Sequence, residues 1–285
     1  MIELKLTSCD NPEIQIEECL DFINKIDEVC KNKNELTIDI KNLKWVLPCA
    51  ALLISHKINE LVNRGYKILF IEPSDENVKT YLSAVGFPLG EKKSRATYMP
   101  IHHFVKKADN HTAKVIETEM KEIFNIIRKY FPSELHDGIF YLLAELSDNV
   151  DQHSEFTVGS MMAQFYKNKG FIDLGVIDNG ITIPGRYEKS KVEFENDCDA
   201  LKKALRGIST KEGEIGRGKG LETSKRLIQK GLEGDFYILS RNAMMTIGKD
   251  KDDSVKIIKN PLNGTFLYIR FKLPKKTLNI YEYIG

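Results

Sequence analysis

Two strongly apolar runs, "GSMMAQFYK" over 159–167 and "FIDLGVID" over 171–178, are joined by Asn168, Lys169 and Gly170. Three residues leave no room for a crossover helix and their composition suits a tight turn, so the runs form a hairpin. Its neighbours must cover an apolar sheet. "IETEMKEIFNIIRKYF" (116–131) has apolar residues at helical spacing. A second helix, beginning near Ser133, aligns Ile139, Leu142, Leu143, Leu146 and Val150 in one stripe. "LETSKRLIQKG" (221–231) reads as a helix stopped by Gly231, and "DFYILSR" (235–241) and "GTFLYIRFKL" (264–273) read as strands around a polar loop containing "GKDKDDS". The polar, weakly periodic stretch 185–216 is too long for a simple connection and is expected to be a lid.

The N-terminal part is patterned differently. "ELTIDI" and "YKILFIEP" read as buried strands at 36–40 and 67–71, bracketing a helix over 49–63 with Pro48 in its first turn. Ser74 is expected to cap a further helix ending near Gly86. Between the two parts "GEKKSRATYMPIHHFVKKADNH" loses period and gains charge, as a linker would. The expected organisation is an α/β domain over 1–95, a linker over 96–111, an α/β (α+β) domain over 112–275 and a tail over 276–285. A length of 285 residues accommodates two ordinary domains.

Charge and cysteine usage narrow the function. A formal net charge of +1 gives no electrostatic pull toward nucleic acid or membrane surfaces, so neither is an expected partner. No run approaches the ~20 apolar residues of a membrane span, and no signal segment opens the sequence. Cys9, Cys19, Cys30, Cys49 and Cys198 are odd in number and form no CxxC pair, which fits reduced thiols in a cytoplasmic protein better than a disulfide framework or zinc site. His102, His103 and His111 could suggest a metal site, but their setting is a charged loop and none is expected.

Three polar features interrupt the C-terminal pattern. Glu145, Asn149 and His153 follow one another at four-residue steps. Each step advances ~400° around a helix, so all three run along one border of the apolar stripe. Asp178 ends an apolar strand and is followed by Gly180, where a carboxylate can accept a ligand amine while the backbone comes close. "GEIGRGKGLETSK" places Gly213, Gly216, Gly218 and Gly220, with Arg217 and Lys219, ahead of a helix, a composition suited to phosphate. It is not a P-loop, because Gly220 replaces the Ser or Thr that would follow Lys219 and no buried strand precedes it. Nor is it a dinucleotide fingerprint, since Leu221 occupies the third glycine position.

Taken in order, ExxxN on a helix, DxG after a strand, a polar segment, GxGxGL opening a helix, and Gly264-Thr265 on a late strand resemble the GHKL ATPase family over about 112–275. The resemblance implies a two-layer α/β sandwich with a mixed sheet and an ATP lid, binding ATP with magnesium. By similarity Asn149 holds the metal, Asp178 accepts the adenine amine, Gly180 makes room for the base, and Thr265 supports the adenine end. Gly216, Arg217, Gly218, Lys219, Gly220 and Leu221 belong to the phosphate lid, and Glu145 is the general base. His153 and Ser154 continue the "NVxxHS" form of the box in structural roles. The family turn carries a second glycine where this chain has Thr182, which implies reduced freedom there and weaker nucleotide affinity.

Residues 35–90 resemble a STAS domain through "LTIDIKNLKWVLPCAALLISHKINELVNRGYKILFIEP" and "VKTYLSAVGF". The loop before the helix, Val46-Leu47-Pro48-Cys49, lacks the phosphorylatable serine, so a docking, dimerising or regulatory role is expected for this module. These resemblances imply an ATP-binding signalling or switch protein, an ATPase or serine/threonine kinase of the anti-sigma-factor type, with a protein partner or a second copy of itself. The competing class is a non-catalytic nucleotide-binding interaction protein. A sensor histidine kinase would need a phosphoacceptor histidine within 116–130, and none is there.

Overall fold

The computed structural model of the chain describes residues 1–90, 96–106, 111–149, 155–208, 220–248, 251–272 and 282–283. It is a mixed α/β protein with two sheets of different type. The first is parallel, in the order β1 (Ile2–Glu3), β2 (Glu35–Asp39), β3 (Lys67–Ile71). The second is ordered β4 (Tyr98–Val105), β5 (Val158–Tyr166), β6 (Phe171–Asp178), β8 (Lys251–Lys272), β7 (Asp235–Gly248). Every pairing in it is antiparallel, where the family resemblance implied a mixed sheet.

Between the sheets lie α1 (Pro12–Cys30) and α2 (Pro48–Asn63). The α2 sequence explains this position. Cys49, Ala50, Ala51, Leu52, Leu53, Ile54, Ile58 and Leu61 surround the helix with apolar groups and are all buried. Its first two turns are apolar on all sides and so need cover on all sides. It packs on β3 behind and on β4, β5 and β6 in front, so the N-terminal region and the rear face of the antiparallel sheet share one core. The 19-residue α1 was not foreseen from the sequence, although Asn11 caps it and Pro12 begins it in the ordinary way. The helix α3 (Glu76–Ala84) is capped by Asp75, one residue after the expected Ser74.

The opposite face of the antiparallel sheet is covered by α4 (His111–Tyr130), α5 (His136–Asp148), α7 (Asp197–Leu205) and the segment that follows α8 (Gly220–Arg226), around a second core. The β5–β6 hairpin pairs Tyr166 with Phe171 and Gly159 with Asp178, and Gly170 takes φ +66° at the turn.

Two expectations are corrected here. The stretch 96–111, read as a linker, contains β4. Met99, Ile101 and Phe104 are buried, and the polar character came from His102 and His103, which point to opposite faces and are both partnered. The stretch 185–216, read as a lid, begins with two short packed helices, α6 (Ile183–Lys189) and α7, which bury Tyr187, Ala200, Leu201 and Leu205. Arg241 ties both to β7 through Glu188 (2.6 and 2.7 Å) and Asp197 (3.4 Å).

Candidate functional site

The helix-covered face of the antiparallel sheet is apolar apart from His102, which pairs with Glu119 of α4, and one end. There a single cross-strand row runs Phe104, Gly159, Asp178, Thr265, Ser240, from β4 through β5, β6 and β8 to β7. Directly opposed residues of an antiparallel pair project to the same side, so the polar members of this row stand side by side. Ser240 Oγ lies 3.0 Å from Thr265 Oγ1 and accepts the Ile183 N–H at 2.9 Å. Thr265 is the cross-strand partner of Asp178.

Asp178 is 3% exposed, and its Oδ1 accepts the Gly180 N–H at 2.8 Å. Burial pushes its carboxyl up to about 7, and the Gly180 hydrogen bond opposes this only in part. A carboxylate held so far from water, with one backbone donor, is chemically suited to a ligand's N–H group. The strand backbones also approach closely at this end of the sheet. Gly264 takes φ +122°, and a Cβ on it would fall 1.8 Å from the Asp178 carbonyl oxygen, so only glycine fits.

The second group lies on α5 and α8, on the same side of the sheet. Leu142, Leu143 and Leu146 bury α5 in the helix-side core, which leaves Glu145 half-buried on its margin. The Glu145 carboxylate rests against Gly220, where a Cβ would lie 1.8 Å from Oε2. The Tyr141 hydroxyl is beside it, raised above its ordinary range by burial, then by its hydrogen bond to Glu145. Asn149 closes the C-terminal end of α5, and its Nδ2 is buried without a hydrogen-bond partner among the described residues. An orphaned amide donor of this kind marks a place where an acceptor belongs. Leu221 packs against the helix-side core.

The structure therefore brings together Asp178, Gly180 and Thr265 in one group, and Glu145 and Gly220 in another, with Asn149 one turn beyond Glu145. Gly216, Arg217, Gly218 and Lys219 lie outside the described residues, as do His153 and Ser154. Thr182 is not a strained stand-in for glycine. At φ −68° and ψ 164° it is the N-cap of α6, and its Oγ1 accepts the Gly185 N–H at 3.0 Å.

Ser240 and Tyr141 were missed from the sequence, as was Thr223, which hydrogen-bonds the Tyr141 hydroxyl. The one signal for Ser240 is a hydroxyl on the inward face of the otherwise apolar "DFYILSR".

The chain matches no family model, and no curated protein matches it. Among the described residues no helix is long and apolar enough to cross a membrane.

Proposed function

We propose that the chain is an ATP-binding switch protein of the GHKL type, using magnesium to hydrolyse ATP or to phosphorylate a serine or threonine of a partner protein. The observation that carries this is Asp178, a fully buried carboxylate with one backbone donor, placed across from Thr265 at the end of an apolar sheet face. In this reading Asp178 accepts the adenine amine, and Thr265 faces the same edge of the base. Asn149 would hold magnesium through its amide oxygen, an oxygen ligand suited to that hard cation, and its Nδ2, without a partner among the described residues, would donate to a phosphate oxygen. The ion, when bound, neutralises charge on the phosphates. Glu145 orients the attacking hydroxyl or water, with Tyr141 holding its carboxylate.

Thr182, where the family turn has a second glycine, spends its hydroxyl on capping α6. The N-terminal module, fused to the rear of the same sheet through α2, is the natural route by which a partner acts on the site.

Calorimetric titration with ATP and magnesium tests this reading. Binding that disappears in Asp178→Asn, and phosphate release or partner phosphorylation that disappears in Glu145→Ala, are the expected results. No heat at millimolar nucleotide, or binding indifferent to Asp178→Asn, rejects it.

A further inference from the structure

We propose that Ser240 is a positioning residue that fixes the direction of the Thr265 hydroxyl proton, and thereby makes the site accept a 6-aminopurine and reject a 6-oxopurine. The inference rests on the adenine-site reading above.

Ser240 is fully buried, so its hydrogen bonds are made within the protein. Its Oγ accepts the Ile183 N–H at 2.9 Å, which occupies one lone pair. Its single proton has two acceptors in reach, Thr265 Oγ1 at 3.0 Å and the Gly264 carbonyl at 3.4 Å. Either hydroxyl of the Ser240–Thr265 pair can be its donor; with Ser240 as donor the buried proton goes to the nearer acceptor, since hydroxyl donors favour about 2.7–2.8 Å and rarely exceed about 3.0 Å.

That assignment has a consequence one strand further on. With Ser240 as donor, Thr265 receives a proton from the β7 side and directs its own away from β7. Across β8 from Ser240 stands β6, with Asp178. The row thus presents a hydroxyl donor beside a carboxylate acceptor. A 6-aminopurine offers the complement, an amine donor next to a ring-nitrogen acceptor. A 6-oxopurine offers a carbonyl next to a ring N–H and is mismatched at both positions. Mismatch at a hydrogen-bonding site is costly because groups on both sides stay unpaired. Without Ser240 the Thr265 hydroxyl is free to rotate, and the polarity of the row is lost.

The test compares the affinities of the full chain for ATP and for inosine triphosphate, each with magnesium, in the unaltered protein and in Ser240→Ala. The unaltered chain is expected to prefer ATP by about 100-fold. Ser240→Ala is expected to shrink that ratio about tenfold, chiefly by weakening ATP. A merely structural role would weaken both nucleotides alike and leave the ratio in place, and that result overturns the proposal. Should Ser240→Ala fail to fold, Ser240→Cys fills nearly the same volume with a weak hydrogen-bonding group and is judged by the same ratio. Thr265→Val removes the donor, and an unchanged ratio there also overturns the proposal. If the unaltered chain binds neither nucleotide, the adenine-site reading fails and takes this inference with it. If it binds ATP selectively and Ser240→Ala keeps the selectivity, only the role of Ser240 falls.

Discussion

Gly175 of β6 lies directly against Leu52 of α2, so that a Cβ on the glycine would fall 2.6 Å from Leu52 Cδ2. Both are in the sealed seam between α2 and the antiparallel sheet, and Leu52 is fully buried. Gly175→Ala is expected to cost about 1–3 kcal/mol by overpacking, and Leu52→Ala about 2–5 kcal/mol by opening a cavity. Since each change relieves the other, the double variant should cost less than the two together. Urea unfolding of the four proteins measures this coupling, and strict additivity would contradict the contact.

The same seam is bolted by charge. Arg270 on β8 makes a paired contact with the fully buried Asp173 on β6, Nε to Oδ1 at 2.7 Å and Nη2 to Oδ2 at 2.8 Å. Its Nη1 reaches Asp10 of the N-terminal region at 2.7 Å. Arg270→Met strands a buried carboxylate, and a loss of about 3–5 kcal/mol is expected. Replacing both partners, Arg270→Met with Asp173→Leu, should recover most of it, because no buried charge is then left without a partner, while the exposed Asp10 keeps Lys169 at 3.5 Å. Chemical denaturation decides this, and a double variant as weak as the single one refutes it.

How much of this was legible follows from which forces were local. The hairpin at 168–170, the stripe of α5 and the span of α2 were readable because turn chemistry and apolar period lie within a few residues of each other. The strand β4 was hidden because His102 and His103 look solvated in sequence, and only the fold supplies Glu119 on one side and Ser160 on the other. β7 continues to Gly248 past the expected Arg241, where φ of +53° and a register shift break the alternation. Asp178 and Thr265 could be picked out as candidates, whereas the Ser240 bridge joins residues 25 apart and exists only once β7 and β8 pair.

Asp178 sets a trade between stability and binding. Its carboxyl is raised to about 7 from 3.8, so folding favours the protonated form. The associated stability is fully present below 3.8 and is lost as pH rises through 7. Asp178→Asn keeps the shape without the charge, and should stabilise the ligand-free chain above pH 7 by up to about 4 kcal/mol. The same variant should lose nucleotide binding. Thermal unfolding at pH 5 and pH 8 measures the effect, which should be small at the first and large at the second. An equal effect at both values would mean that the carboxyl is not displaced.

Glu145 and Gly220 give a prediction of opposite character. A methyl group at 220 meets only the mobile end of the Glu145 side chain, which can turn aside at small cost. Gly220→Ala should therefore leave the melting temperature nearly unchanged while moving the carboxylate from its place. On the reading of Glu145 as general base, turnover falls by about 100-fold, with nucleotide affinity less affected. Retention of full turnover in a folded Gly220→Ala protein would remove Glu145 from that role.

A hydrogen-bonded chain across the seam gives the protein a second, opposite response to acid. Ser55 Oγ donates to the Pro88 carbonyl at 2.5 Å, so it accepts from His103 Nε2 at 3.1 Å. His103 Nδ1 then carries no proton and accepts from Ser160 at 2.7 Å, and Ser160 in turn accepts from His56 Nδ1 at 2.8 Å. Every proton in this chain is assigned with both imidazoles neutral, and a further proton on His103 would face the Ser160 hydroxyl. Burial holds His56 down at about 3 and His103 at about 4, with His103 and Lys57 adding to the field on His56, and His102 to that on His103, while the Pro88 carbonyl opposes it at His103. Both values are depressed, so the stability is present above 6.5 and is lost as pH falls toward 4 and 3. For His103 alone this amounts to at most about 3 kcal/mol. Because Asp178 gains stability over part of the same range, the measurement belongs in an Asp178→Asn background. There, urea unfolding between pH 7 and 4 should show a steep loss of stability that becomes shallower in His103→Gln. Identical slopes in the two proteins would mean that the seam does not exclude the proton, and that acid reaches the fold by another route.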